Sequence, residues 1–309
     1  MKKYIKIARP DHWVKNAFIL PGIVIAYLLA DFNLTMGQFV LRFICGFFAT
    51  CFIASANYVI NEWLDAEFDQ FHPTKKFRPV VSENMKFSLV MVEYVICIIL
   101  GVVLSLFVNR PFLVVELILL FMGIVYNVKP MRTKDIVYLD VISESVNNML
   151  RLLLGWFIVT DFLIPPSSIL IGYWFAGAFL MATKRFAEYR MIGDPSQAGL
   201  YRKSFKYYTE VKLLVSSFFY AMCATFFIGV FMIKYRMQYI FAMPFIFGLF
   251  CFYLAIAFKP DSAAQKPEKL YKEKSLLLYL LLLIIILLIL SFVNIPMPDY
   301  WLNPTLFSV

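Results

Sequence analysis

The sequence predicts an all-α membrane protein, a polytopic bundle of nine transmembrane helices with a cytoplasmic N-terminus. Of the 309 residues, 61% are apolar and only 16% are charged, whereas soluble domains are about 45–50% apolar and about 25% charged. The apolar residues form continuous runs and do not alternate with polar ones, which favours helices over a β-barrel. Basic residues recur in every second loop, which indicates the orientation. We therefore expect residues 1–309 to form a single membrane domain.

Each apolar run is close to the length of about 20 residues that a helix needs to cross a bilayer. The runs cover residues 15–32, 38–62, 86–108, 111–128, 137–159, 167–186, 211–233, 237–258 and 275–295. We expect the first run to be a retained helix and not a cleaved signal, because it contains no small-residue cleavage site and many more apolar runs follow. The last run is nearly pure Leu and Ile, and we expect it to be a lipid-facing anchor.

The charges of the loops predict the orientation. The N-terminal segment is basic, and so are loops 63–86, 129–136, 187–210 and 259–274, whereas the loops between them are poor in Lys and Arg. Basic residues gather in cytoplasmic loops, so we expect these four loops and the N-terminus on the cytoplasmic side of the cell (inner) membrane and the C-terminal tail outside. The net charge of +9 is then topological, and we expect membrane lipids and not nucleic acid as partners.

The second predicted helix ends in a polar stripe. Asn57, Asn61, Asp65 and Asp69 recur every four residues and therefore share one helix face. Carboxylates one turn apart repel each other, and a divalent cation would relieve the repulsion. Hard oxygen ligands suit Mg²⁺, which shares its coordination shell with substrate phosphates. We predict Asn61, Asp65 and Asp69 as Mg²⁺ ligands; the alternative is a solvated helix end.

The fifth predicted helix carries a second polar face in an otherwise apolar segment. Asp140, Glu144, Asn147, Asn148 and Arg151 fall within an arc of about 100° on a helical wheel. Polar side chains at membrane depth are costly unless they face a cavity or a partner, so this face predicts a wet or ligand-filled bundle interior. The alternative is an internal salt bridge between Arg151 and one of the two carboxylates, and both can hold together.

Cations cluster in three cytoplasmic segments near these aspartates. Most loop cations only set topology, but Arg78, Lys134, Lys184 and Arg185 are candidate phosphate ligands because of this clustering. Three groups of residues receive no such role. The five cysteines, at no metal-binding spacing, are expected only to pack; His12 and His72 are too isolated to form a metal or nucleophile site; and Glu93 and Glu116 stay unassigned.

The stretch Asn61-Glu62-x-x-Asp65-x-x-x-Asp69 resembles the motif N-D-x-x-D-x-x-x-D of the UbiA-type superfamily of membrane prenyltransferases, with Glu62 in place of the first Asp. Within the superfamily the chain is most similar to the decaprenyl-phosphate phosphoribosyltransferase branch. Three segments carry that similarity: Arg9-Pro10-x-x-Trp13-x-Lys15-Asn16, His72-Pro73-x-Lys75 with Arg78-Pro79, and Lys184-Arg185-x-Ala187-Glu188. Lys184-Arg185 stands where ordinary prenyltransferases of the superfamily carry a second Asp-rich motif.

The resemblance implies Mg²⁺-dependent transfer of a 5-phosphoribosyl group from phosphoribosyl diphosphate to a polyprenyl phosphate, with release of diphosphate. The partners are then a polyprenyl lipid and a diphosphate-bearing donor. The expected catalytic residues are Asp65, Asp69, Asp140 and Glu144. The expected substrate-binding residues are Asn57, Asn61, Lys75, Arg78, Tyr126, Lys134, Asn148, Arg151, Lys184, Arg185 and Glu188.

Two alternatives remain at this point. A prenyl diphosphate could be the donor, with its carbocation alkylating an aromatic or other acceptor. Lys184-Arg185 argues against that donor, because only the sugar donor has a 5-phosphate that needs extra cations. The third possibility, ranked lowest, is an ion-coupled transporter whose buried charges form an ion path, although the sequence shows no inverted repeat.

Overall fold

The computed structural model describes residues 2–30, 34–260, 262–265 and 267–293, and in these ranges the chain folds into helices joined by turns and loops. This confirms the all-α prediction. The α-helices of the described residues are α1 (Lys2–Ile7), α2 (Leu20–Leu29), α3 (Met36–Asp69), α4 (Pro79–Ser82), α5 (Phe87–Leu106), α6 (Arg110–Asn127), α7 (Leu139–Val159), α8 (Ser167–Ile192), α9 (Pro195–Tyr201), α10 (Glu210–Tyr235), α11 (Met243–Ala257) and α12 (Lys274–Phe292).

Short 3-10 helices connect or extend several of these elements. The longest of them, Pro10–Ile19, leads directly into α2, and Met237–Ala242 leads into α11. The others are Lys75–Phe77, Thr133–Asp135, Lys203–Lys206, Ala263–Gln265 and Pro267–Lys272. As far as the described residues reach, every predicted apolar run therefore coincides with a helical segment. The tail after residue 293, predicted to face outward, lies outside the described residues.

Seven helical segments of the described chain are long and apolar enough to cross a membrane, so the protein is a multi-pass membrane protein. The two other long helices, α7 and α8, have 21 and 26 residues, but they carry the charged groups singled out above. Two helices also run past their predicted ends at residues 62 and 186. Hydropathy reports where apolar side chains stop, whereas backbone hydrogen bonding can continue into the polar segment that follows.

Helix α7 lies at the centre of the bundle. It packs against α2, α6 and α8, while α8 packs along α10 and α3 along α5. One apolar core joins Leu150 and Leu154 of α7 to residues of α2, α3 and α6. A second core joins Val141, at the start of α7, to Phe179 and other residues of α8, α10 and α11. The polar face of α7 therefore lies between two apolar cores.

The backbones of α2 and α7 approach closely through two glycines. A Cβ on Gly22 would meet the carbonyl oxygen of Leu152, and a Cβ on Gly155 would meet the carbonyl oxygen of Ile19. Small residues permit this kind of approach between membrane helices, where van der Waals packing supplies much of the association energy. The contact fixes α7 against the N-terminal part of the chain.

Helix α12 presents large apolar side chains to its surroundings along most of its length. Leu278, Leu281 and Ile289 are among its exposed residues, and few of its side chains are buried. An exposed apolar surface of this extent suits contact with lipid. This placement is consistent with the lipid-facing anchor expected from the sequence.

Candidate active site

A cavity of about 750 Å³ lies among α3, α7, α8, the 3-10 helix Pro10–Ile19 and the loop after α3. Nine basic and five acidic side chains line it, which gives a clear excess of positive charge. Low-dielectric walls lined by one sign of charge focus the electrostatic field and attract ligands of the opposite charge. The cavity is therefore suited to a polyanionic ligand.

The structure brings most of the predicted site residues together at this cavity. The residues that line it are Asn57, Asn61, Asp65, Lys75, Arg78, Tyr126, Glu144, Asn148, Arg151, Lys184, Arg185 and Glu188. The remaining three, Asp69, Lys134 and Asp140, lie behind the lining, and each contacts at least one residue that belongs to it.

Asp65, near the end of α3, is held by two cations from the loop that follows α6. Arg132 contacts its Oδ1 atom at 3.0 Å, and the ammonium group of Lys134 contacts the same oxygen. Lys134 also donates to Asn61 Oδ1 at 3.1 Å and to Asn127 Oδ1 at 2.8 Å. Burial lowers the pKa of Lys134 to about 8, although Asp65 opposes the shift. The predicted Lys134 thus joins the two polar residues of the motif that face the cavity.

Asp69 lies one turn further along α3 and is turned towards Arg78. The two side chains form an ion pair, and the Asp69 side chain is almost completely buried. Among the residues that the structure describes, no group of three His, Cys, Asp or Glu side chains converges on a metal site. Asp65 and Asp69 therefore have cationic side chains as their partners in this arrangement.

The donor set nevertheless fits a hard divalent cation. Mg²⁺ is commonly bound by one or two carboxylates together with substrate phosphates, and not by an all-protein cage. Asp65 and Asn61 supply oxygens at the cavity. Arg132 and Lys134 both contact the Oδ1 atom of Asp65, so neither of these contacts uses its Oδ2 atom. Asn57, one turn before Asn61, does not add a donor, because its Oδ1 atom is buried against Gly123 of α6 and its Nδ2 atom donates to the carbonyl oxygen of Leu119. Such a set suits a metal–phosphate group better than a bare ion.

Arg185 of α8 organises the acidic residues of α7. Its guanidinium contacts Glu144 Oε2 at 2.5 Å, the hydroxyl of Tyr126 at 2.9 Å and Asp140 Oδ2 at 3.4 Å, and the arginine is only 1% exposed. The internal salt bridge considered from the sequence is therefore made by Arg185. Arg151 donates instead to Asn16 Oδ1 at 3.0 Å and to the carbonyl oxygen of Asn147 at 3.2 Å.

Asp140 lies at the start of α7, fully buried behind the cavity wall. It accepts hydrogen bonds from the hydroxyl of Tyr208 at 2.8 Å and from Ser204 Oγ at 3.2 Å, and Arg202 lies 3.8 Å away. Burial and the negative charge of Asp140 raise the pKa of Tyr208, so that its hydroxyl remains protonated and donates. Asp140 thereby anchors the loop 187–210 next to Arg185.

Glu188, at the end of α8, lies at the centre of a further polar cluster. Its Oε1 atom accepts from Lys75 Nζ at 2.5 Å and from the hydroxyl of Tyr201 at 3.2 Å. His72 Nε2 lies 3.3 Å from the same oxygen, while His72 Nδ1 faces the backbone N–H groups of Thr74 and Lys75 at 3.2 Å each. Because Nδ1 accepts these bonds, we assign the ring proton to Nε2, the ring nitrogen that lies near Glu188. Burial lowers the pKa of His72, which agrees with a neutral ring.

The family model of the UbiA prenyltransferase family matches residues 19–281. The chain belongs to the UbiA prenyltransferase family. This confirms the resemblance found from the Asn61–Asp69 motif and places the protein in a family of membrane transferases.

Two relatives of this UbiA family member are decaprenyl-phosphate phosphoribosyltransferases. The one from Corynebacterium glutamicum is 30% identical over 231 residues, which cover 72% of this chain and 63% of the relative. The one from Mycolicibacterium smegmatis is 28% identical over 211 residues, which cover 67% and 62%. The matched region thus spans less than two thirds of the length of either relative.

Solved structures show the same fold. A UbiA homolog from Archaeoglobus fulgidus, bound to GPP and Mg²⁺, superposes with a TM-score of 0.68 at 19% identity, covering 92% of this chain and 99% of that protein. The same homolog bound to DMAPP and Mg²⁺ also gives a TM-score of 0.68, at 18% identity, with coverage of 94% and 100%. At these identities the likeness concerns the UbiA fold.

Several residues of this UbiA family site have no predicted role from the sequence. Arg132 contacts Asp65, and Arg202 lines the cavity with a buried Nε atom that has no hydrogen-bond partner. Asn16 and Tyr201 contact Arg151 and Lys75. The position of Arg132, two residues before the candidate phosphate ligand Lys134, is the feature of the sequence that indicates a role for it. The others come from distant segments and required the tertiary structure.

Proposed function

We propose that the protein transfers a 5-phosphoribosyl group from phosphoribosyl diphosphate to a polyprenyl phosphate and releases diphosphate. All nine predicted segments, including α7 and α8, then span the inner membrane, with the N-terminus and the active site on the cytoplasmic side. Family membership and the two relatives named as decaprenyl-phosphate phosphoribosyltransferases support the class of reaction. The excess of cations around the cavity is the observation that carries the choice of donor.

The charge distribution around the cavity favours a sugar donor. A prenyl diphosphate has one charged group, whereas phosphoribosyl diphosphate has a diphosphate at one end and a phosphate at the other. Asp65 marks the metal–diphosphate end of the cavity, and Lys184, Arg185 and Arg202 supply cations from α8 and the loop after it. Arginine and lysine at this density suit a second phosphate group. A ligand with an anionic group at each end matches this distribution of charged side chains.

Bond cleavage at the anomeric carbon of the donor creates an oxocarbenium-like centre and a highly charged leaving group. Mg²⁺, when bound, would be held by Asn61 and Asp65, with Asp69 nearby, and would neutralise the developing charge on diphosphate. Lys134 and Arg132 contact Asp65 from behind the cavity lining and would hold that carboxylate in position. The carbon–oxygen bond to diphosphate breaks, and a new bond forms between that carbon and an oxygen of the lipid phosphate.

Glu144 is suited to stabilise the cationic sugar ring. Its side chain is 25% exposed and lines the cavity, and one of its oxygens is fixed by Arg185 and Tyr126. A fixed carboxylate beside a developing positive charge lowers the barrier, because it needs no reorganisation during the reaction. An anionic lipid phosphate is already a nucleophile, so the transfer needs no general base.

The apolar part of the cavity wall suits the acceptor lipid. Val14, Phe18, Leu180 and Met181 line the cavity together with the polar residues. A prenyl chain would contact such side chains while its phosphate reaches the cations. The proposed acceptor has a charged phosphate and an apolar chain, and the cavity lining offers side chains suited to both.

The test uses the full-length protein in detergent with radiolabelled phosphoribosyl diphosphate and polyprenyl phosphates of several chain lengths. We expect label in the organic phase, dependent on a divalent cation and lost with EDTA. A parallel reaction supplies labelled prenyl diphosphate with aromatic acceptors. Transfer in the second reaction alone would refute the sugar donor. Flux of an ion or solute in liposomes without any turnover would refute an enzyme.

A further inference from the structure

The N-terminal 3-10 helix Pro10–Ile19 docks along α3 through a ladder of side-chain contacts. Trp13 Nε1 donates to Ser55 Oγ at 2.9 Å, and Asn16 Nδ2 donates to Cys51 Sγ at 3.2 Å. His12 lies edge-on to the ring of Tyr58, with the ring centroids 5.2 Å apart. The α3 partners are three or four residues apart, so they form one face of that helix.

Glu62 ends this ladder and is also the first acidic residue of the motif. Its Oε2 atom accepts two hydrogen bonds from Arg9, from Nε at 3.0 Å and from Nη2 at 2.8 Å. The Glu62 side chain is 2% exposed, and its other oxygen is buried without a hydrogen-bond partner. At about 100° per residue, Glu62 and Asn61 point in different directions, although both belong to the cavity lining. The two hydrogen bonds from Arg9 to one Glu62 oxygen favour a structural partner over a metal ligand.

Arg9 adopts a backbone conformation that a residue with a side chain seldom takes. Its φ and ψ angles are 50° and 60°, in the left-handed region. Such a conformation persists where surrounding contacts determine it. Here the two hydrogen bonds to Glu62 hold Arg9 between α1 and the 3-10 helix, and so set the position of the segment that follows.

The segment reaches the cavity through Asn16. This side chain is almost completely buried, its Nδ2 atom is used by Cys51, and its Oδ1 atom accepts from Arg151 Nε at 3.0 Å. Arg151 lines the cavity and belongs to the predicted substrate-binding set. Its guanidinium orientation therefore depends on a residue of the N-terminal segment.

We infer that Glu62 is a positioning residue: with Arg9 it locks the N-terminal segment on α3 and, through Asn16, holds Arg151 towards the cavity. Glu62 thus acts through Arg9 and Asn16, whereas Asp65 acts on the metal. The inference rests on the proposed function only in that Arg151 is taken to bind substrate.

The first test is a double-mutant cycle read by hydrogen exchange on the full-length protein in detergent. We expect Glu62→Gln, Arg9→Gln and the double variant each to speed amide exchange across Pro10–Ile19 by about tenfold, because all three remove the same charge-assisted pair. Glu67→Gln is the matched control, since Glu67 is an exposed carboxylate of the same helix. Additive effects of the two single variants, or unchanged exchange in both, would overturn the inference.

The second test measures binding of Mn²⁺ alone by electron paramagnetic resonance. We expect Glu62→Gln to leave the Mn²⁺ affinity unchanged while Asp65→Asn lowers it. If Glu62→Gln weakens Mn²⁺ binding as Asp65→Asn does, Glu62 is a ligand and the inference fails. Arg9→Lys supplies a second variant should Glu62→Gln not fold, because it leaves the Glu62 charge in place while removing the paired donors.

The third measurement compares the effects of these substitutions on KM and on kcat. We expect Glu62→Gln, Asn16→Ala and Arg151→Gln to raise the KM for a phosphorylated substrate with a smaller change in kcat, whereas Asp65→Asn lowers kcat. A kcat loss for Glu62→Gln at unchanged KM would overturn the inference. Exchange and Mn²⁺ binding need no turnover, so they judge the inference even if the sugar donor proves wrong.

Discussion

The substitution Asp140→Asn distinguishes a carboxylate that positions other residues from one that takes part in the chemistry. Asp140 is fully buried, does not line the cavity, and contacts Arg185, Tyr208 and Ser204, with Arg202 at 3.8 Å. The amide keeps the shape of the carboxylate and removes its charge. Arg185 and Arg202 each lose an anionic neighbour, and both line the cavity.

These contacts set the expected loss of stability and of donor binding in Asp140→Asn. Removing one partner of a buried ion pair costs about 3–5 kcal/mol. Arg185 keeps Glu144 at 2.5 Å, and the new amide oxygen still accepts from Tyr208, so we expect the lower end, about 3 kcal/mol. Displacement of the two arginines should raise the KM for the phosphorylated donor by about tenfold, which corresponds to about 1.4 kcal/mol of lost binding.

The assay combines thermal unfolding of the detergent-solubilised protein with initial rates at varied donor concentration. The control is Asp161→Asn, because Asp161 lies 3.6 Å from Arg42 in an ion pair whose acid is 47% exposed; exposed pairs contribute only about 0–1 kcal/mol. A kcat loss of about a hundredfold, or about 2.7 kcal/mol of activation free energy, in a protein with unchanged KM would refute the positioning role. Asp140 would then act on the reacting groups.

Three further predictions concern the metal site, the donor phosphate and helix packing. Asp65→Asn should abolish divalent-dependent turnover while the protein stays monodisperse, and retained turnover would contradict the metal assignment. Arg185→Ala should raise the KM for a 5-phosphorylated donor by about tenfold or more; an unchanged KM would favour a prenyl donor. Gly155→Leu should lower the thermal midpoint, at a cost of about 1–3 kcal/mol or more, because a side chain there meets the Ile19 carbonyl. Gly37→Ala, with nothing near its Cβ position, is the control and should leave the midpoint unchanged.

The sequence predicts local features of the site well because they depend on helix periodicity. The polar face of α7 is an example: Glu144, Asn148 and Arg151 all line one cavity, as their spacing indicates. The polar stripe of α3 is only partly of this kind, because Asn61 and Asp65 face the cavity while Asp69 is turned to Arg78. Periodicity sets the face of a helix, but a neighbouring cation decides where the last turn of side chains points.

Pairing between helices could not be predicted in the same way. The sequence offers Arg151 as the partner for the acids of α7, whereas the packing of α7 against α8 brings Arg185 to them. Arg151 donates to Asn16 instead, because the N-terminal segment, which is distant in sequence, packs against α3. Such choices depend on the arrangement of whole helices, which one sequence without its fold does not specify.

Helix α3 has 34 residues and is therefore about 50 Å long, whereas the hydrocarbon layer of a bilayer is about 30 Å thick. An upright helix of this length extends beyond the hydrocarbon layer, and Asp65 and Asp69 occupy its last turns. One continuous rod-shaped helix can thus pass from the hydrocarbon layer to the polar surface of the membrane. Under the proposed function, a water-soluble sugar and an insoluble lipid can meet along this rod without either substrate changing phase.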